Sequence, residues 1–101
     1  MMWKSNNPND EYKRTDVAEI PGDSNCLSQK ILIFCDPYEC IWYMNYWIDD
    51  EIIEKRVVLA ANDWETARKK AEYLVYLYLE KQQLKWKGMA WHFDQRRFNR
   101  E

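Results

Sequence analysis

Residues 30–60 hold three β-rich runs in close succession, and that succession constrains the fold more than any other stretch of the chain. Residues 30–35 (KILIFC) stop at Asp36-Pro37, a turn signal. Residues 40–48 (CIWYMNYWI) are dense in aromatic and β-branched side chains, which suit a pleated surface. The acidic Asp49-Asp50-Glu51 interrupts them, and residues 52–60 (IIEKRVVLA) make a third run. Connections this short join antiparallel neighbours, so the three runs predict a meander.

Parity then selects the buried face. A first loop at residues 36–39 sets Cys35 opposite Cys40, Ile33 opposite Trp42 and Ile31 opposite Met44. A two-residue turn at Asp49-Asp50 sets Tyr46 opposite Ile53 and Trp42 opposite Val57. Both hairpins gather Ile31, Ile33, Cys35, Cys40, Trp42, Met44, Tyr46, Ile53, Val57 and Leu59 on one face, as alternating side-chain direction requires. In that register Cys35 and Cys40 could bridge under oxidation, although thiols are expected.

A long helix should cover that face. Asn62 or Asp63 can cap it, and Glu65 suits a capping box. Trp64, Ala67, Ala71, Leu74, Val75 and Tyr78 recur at helical spacing, with Ala67 and Ala71 permitting close approach to a sheet. Residues 73–79 are apolar almost all round, so the second side of the helix should also meet something. Gly88 suggests a stop, and Met89, Trp91 and Phe93 alternate as in a short fourth strand. The expected fold is therefore α+β: three to four antiparallel strands packed on one long helix, in a single domain over residues 29–93. Residues 1–28 are polar and read as a mobile or loosely docked arm, and residues 94–101 as a basic tail.

Composition excludes several classes. Six Trp, seven Tyr and three Phe among 101 residues supply too much burial for a disordered chain. No apolar run approaches a membrane span, and residues 1–6 lack the apolar stretch of a signal peptide, giving the expectation of a cytoplasmic protein without membrane contact. Two glycines leave no room for a phosphate-cradling loop. Cys26, Cys35, Cys40 and His92 lack the tight spacing of a zinc knuckle, and no carboxylate pair is singled out. No enzyme activity, metal or cofactor is expected.

The β-β-β-α order with spaced alanines resembles the later part of a double-stranded-RNA-binding domain. The leading helix is missing, however, and Asn62-Asp63-Trp64-Glu65 stands where a lysine pair belongs. A three-stranded sheet plus helix also resembles the arm-binding module of phage-type integrases, but without the basic residues expected on that sheet. Neither likeness amounts to a match, and fold analogy alone would not establish function.

Function must then lie on surfaces left over. The second sheet face would present Leu32, Phe34, Ile41, Tyr43, Asn45, Trp47, Glu54, Arg56 and Val58, too much aromatic area for a solvated face unless the termini fold over it. The reading is a small non-enzymatic protein-binding module. It would dock Phe34, Tyr43, Trp47 and Arg56 on a protein partner or a second copy, with Asp49 and Asp50 meeting a basic groove. An accessory or inhibitory protein of viral or mobile-element type, occluding a larger machine, fits so short a chain without motifs. The alternative is single-stranded nucleic acid or RNA binding through Lys85, Lys87, Trp91, Arg96, Arg97 and Arg100, because basic residues mixed with aromatics stack bases and neutralise phosphates. Against it stands a net charge of −2, since such domains are typically basic.

Overall fold

The three adjacent runs do form a meander, and two further strands extend it. In the computed structural model, described over residues 2–24 and 27–100 with residues 84–100 as backbone alone, the order is β1 (Trp3–Asn6), β2 (Thr15–Ile20), β3 (Gln29–Asp36), β4 (Ile41–Ile48), β5 (Glu51–Leu59) and α1 (Trp64–Arg100). The five strands make one antiparallel sheet in sequence order, each hydrogen-bonded to the next. The fold class is thus α+β as expected, with five strands rather than three or four. The extra two come from residues 1–28, where a polar arm was expected, and the sheet begins at Trp3 instead of Gln29.

Polar core positions explain why β1 and β2 escape a hydrophobicity pattern. Asp16 faces the helix and is fully buried, between Arg14 (Nε to Oδ1, 3.1 Å) and Arg68 of α1 (Nε to Oδ2, 2.6 Å). Arg68 also donates to Ser5 Oγ at 2.9 Å, and the Trp3 indole N–H donates to Glu72 at 2.8 Å. Burial alone would raise the Asp16 pKa, but hydrogen bonds from Arg14, Arg68 and Ser5 outweigh it and hold the carboxyl below its ordinary value. These polar clasps tie β1 and β2 to the helix where a larger apolar surface would otherwise be needed.

The apolar core lies between one sheet face and α1. Ala18, Ile31, Ile33, Met44, Tyr46 and Leu59 pack against Ala67, Ala71 and Val75, flanked by Trp42, Ile53, Val57, Trp64, Leu74 and Tyr78. Tyr46 is buried, and its hydroxyl donates to Gln29 Oε1 at 2.6 Å, so it enters the core with its polar atom satisfied. Burial and the neighbouring Tyr78 push its pKa up to about 12. Asp63 caps the helix by accepting the Thr66 N–H at 2.7 Å and the Thr66 hydroxyl at 3.0 Å. Thr66 therefore fills the position that a capping box with Glu65 would have given to the acid.

Two registers differ from the expected ones. Cys35 pairs with Trp42, Ile33 with Met44 and Ile31 with Tyr46, a slip of two residues that leaves the paired side chains of β3 and β4 on their expected faces. The slip arises at the turn. Asp36 stays in the ladder opposite Ile41, its Oδ1 accepts the N–H groups of Tyr38 and Glu39, and Cys40 takes a left-handed φ of 54°. Cys40 is thereby moved into the loop, away from the position opposite Cys35, and both thiols are free. The Asp49-Asp50 turn is as expected, with Ile48 opposite Glu51, but β5 then bulges, so Tyr46 meets Glu54 and Met44 meets Val57. Finally, α1 runs through Gly88 to Arg100, so neither the stop at Gly88 nor the strand over residues 89–93 forms. A single interior glycine costs a helix only about 1 kcal/mol relative to alanine, and no proline follows it.

Candidate functional site

Alternation along each strand gives the sheet a second face, turned away from α1. Among the described residues α1 is the only helix, and its packing is spent on the other side. The strand register arranges this second face in three longer rows, with the pair Asp36 and Ile41 as a short fourth next to the Tyr43 row. One row runs Glu19, Lys30, Trp47, Ile52. The next runs Lys4, Val17, Leu32, Asn45. The third runs Asn6, Thr15, Phe34, Tyr43, Val58. Most of these side chains are partly exposed, with Ile52 at 43% and Val58 at 61%.

The structure brings four of the expected docking residues onto this face. Phe34 and Tyr43 are cross-strand neighbours with ring centroids 5.4 Å apart at 22°, a stacked pair. The Arg56 guanidinium lies 4.9 Å from the centre of the Tyr43 ring. Lys30 places its ammonium 5.4 Å from the Trp47 ring. Tyr43 and Trp47 thus each carry a cation, an arrangement that holds long side chains along the rings while leaving their charges accessible.

Arg56 reaches its position through the bulge. Its backbone sits at a φ of 51°, and its N–H donates to the side chain of Asn45 at 2.7 Å. A non-glycine residue in that region is strained, and bulges commonly redirect a side chain. The same bulge removes Glu54 from the expected set. Glu54 lies opposite Tyr46 and lines a small depression on the helix side with Met44, Val57, Leu74 and Tyr78.

Asp49 and Asp50 lie at the β4–β5 tip, beyond the end of the Trp47 row. The Asp49 carboxylate accepts the Ser28 N–H at 3.3 Å and the Ser28 hydroxyl at 3.2 Å, while its own N–H donates to the Ser28 carbonyl at 2.8 Å. It is therefore engaged in holding the chain ahead of β3, and Asp50 is the exposed acid of the pair. The side chains of Lys85, Lys87, Trp91, Arg96, Arg97 and Arg100 lie outside the described residues, as do Cys26 and His92.

Sequence reasoning missed Lys4, Val17 and Lys30. The first two belong to β1 and β2, whose polar composition reads as an arm. The third was visible as the residue facing Trp47 once the two-residue slip is known. Charge follows from the same map. Lys4, Lys30 and Arg56 outnumber Glu19 on this face, against the chain's overall −2. Among the described residues no helix is long and apolar enough to cross a membrane, and no three His, Cys, Asp or Glu side chains gather as a metal site. No protein-family model, curated protein or solved structure matches this chain.

Proposed function

We propose that this chain is a non-enzymatic binding module that docks its open sheet face on a protein partner. The reading rests on one observation: Phe34, Tyr43 and Val58 in one row and Trp47 and Ile52 in another, with Leu32 and Asn45 in the row between, form a largely apolar surface without cover from a described helix or strand, and Lys30 and Arg56 lie along its rings. Trp, Tyr and Arg are the side chains that most often dominate protein-binding energy. The surplus of cations selects a partner segment that pairs apolar side chains with carboxylates. By covering such a segment the module would act through occupancy, without chemistry of its own.

The alternative, nucleic-acid binding through Lys85, Lys87, Trp91, Arg96, Arg97 and Arg100, concerns side chains outside the described residues, and the sheet face itself suits it less well. Base stacking needs free ring faces, and here a guanidinium and an ammonium lie against Tyr43 and Trp47. The two readings separate in a capture experiment with and without nuclease, repeated on Trp47→Ala. A partner retained after nuclease and lost with Trp47→Ala supports protein docking. A partner that disappears with nuclease, with binding that falls steeply as salt rises, replaces it with nucleic acid.

A further inference from the structure

The outer side of α1 carries a second apolar stripe. At 100° per residue, Lys69, Tyr73, Tyr76 and Glu80 align on the side opposite Ala67, Ala71 and Val75, with Leu77 beside them. Tyr73 is 58% exposed and Tyr76 60%. Single exposed tyrosines need no explanation, but adjacent ones in a stripe mark an interaction surface. The sheet occupies the other side of the helix, so it does not obstruct an approach from this side.

The order of residues along the stripe specifies its occupant. Over residues 69–80 of this side a cation leads, a carboxylate closes and two tyrosines stand between them, spaced evenly about the point midway between Leu74 and Val75, with Glu65 one turn ahead of Lys69. A two-fold axis through that point sets Tyr73 against Tyr76 of a second helix and Lys69 against its Glu80, each twice. A parallel arrangement would instead set Lys69 on Lys69 and Glu80 on Glu80. The contact that Lys69 makes within its own helix, to Glu65 at 3.6 Å, joins two side chains that are each about three-quarters exposed, so it offers little competition. We propose that this stripe binds the same stripe of a second copy of the chain, forming an antiparallel helix pair with the two sheets on its outer sides.

This proposal does not rest on the docking role of the sheet face, because it uses the opposite side of the molecule. The test is sedimentation velocity on the full chain over a concentration series, with circular dichroism to verify folding. The wild type should pass from monomer to dimer as concentration rises. Tyr73→Asp with Tyr76→Asp should remain monomeric while keeping the wild-type spectrum. Lys69→Glu should weaken the dimer about ten-fold, because two attractive pairs become repulsive, and adding Glu80→Lys should restore it. A wild type that stays monomeric to submillimolar concentration overturns the proposal. So does a dimer that survives the double tyrosine change. A Lys69→Glu dimer as tight as wild type, or one left unrescued by Glu80→Lys, overturns the antiparallel pairing. Trp47→Ala should leave the dimer intact, so failure here and failure of sheet docking are read separately.

Discussion

The backbone N–H of Arg56 donates to the side-chain oxygen of Asn45 at 2.7 Å, across the point where β4 and β5 lose register. Asn45 has no ladder partner on β5, and its amide carbonyl replaces the missing backbone acceptor. The bond fixes the bulge, and the bulge carries the Arg56 guanidinium onto Tyr43. Asn45→Ala should therefore cost about 1 kcal/mol in urea unfolding, the usual value of such a bond. It should also weaken partner binding, because Arg56 loses its fixed backbone.

Arg56 itself should separate stability from binding. Its φ of 51° suits glycine, and a left-handed non-glycine residue costs about 1 kcal/mol or more. Arg56→Gly should raise the unfolding midpoint while reducing partner affinity. A variant that gains stability and keeps full affinity would remove Arg56 from the docking surface.

Asp16 should dominate the acid response. Its folded pKa is held below the ordinary 3.8, so the folded state binds fewer protons than the unfolded chain. The stabilisation is complete above the unfolded-state value and is lost as pH falls through the folded one. Asp63, whose carboxylate accepts the Thr66 N–H and hydroxyl, shifts in the same direction. Asp16→Ala should destabilise the fold by about 2 to 3 kcal/mol at neutral pH, since it leaves Arg14 and Arg68 without their shared acceptor. Asp16→Asn should flatten the acid limb of the stability curve between about pH 5 and pH 2. Chemical denaturation at stepped pH measures both.

The two described cysteines should differ in reactivity. Burial, with smaller contributions from Cys40 and Asp36, pushes the Cys35 thiol up, and Cys40 lies exposed in its turn. Timed alkylation followed by peptide mapping should label Cys40 well before Cys35. No bridge between them should form under mild oxidation without disturbing the turn, because Cys35 pairs with Trp42.

Much of this fold is legible in the sequence because alternation survives even slips. The β3–β4 register differs from the expected one by two residues, and an even slip keeps Ile31, Ile33, Met44 and Tyr46 on the helix side. For the same reason Phe34, Tyr43 and Trp47 share the outer face in the expected register and in the observed one. Helix spacing likewise places Ala67, Ala71 and Val75 in the core. What pattern reasoning misses has a common cause, since polar groups take positions that it reserves for apolar ones. Asp16 and Ser5 face the helix, which hides β1 and β2, and the Asn45–Arg56 bond makes a bulge that no periodicity announces. Gly88 misleads in the opposite way, marking a stop that the helix does not take.

Trp47 tests the central claim most directly. It is partly exposed on the open face, outside the core, so Trp47→Ala should leave the circular dichroism spectrum and urea midpoint close to wild type. The decisive measurement is nuclease-treated capture from source cells with wild type and Trp47→Ala side by side, each captured protein then titrated against both. The account predicts a protein bound directly by wild type, whose affinity falls at least ten-fold with Trp47→Ala, about what losing one central aromatic anchor costs. Equal affinity for the two chains, or unfolding of Trp47→Ala, would contradict it.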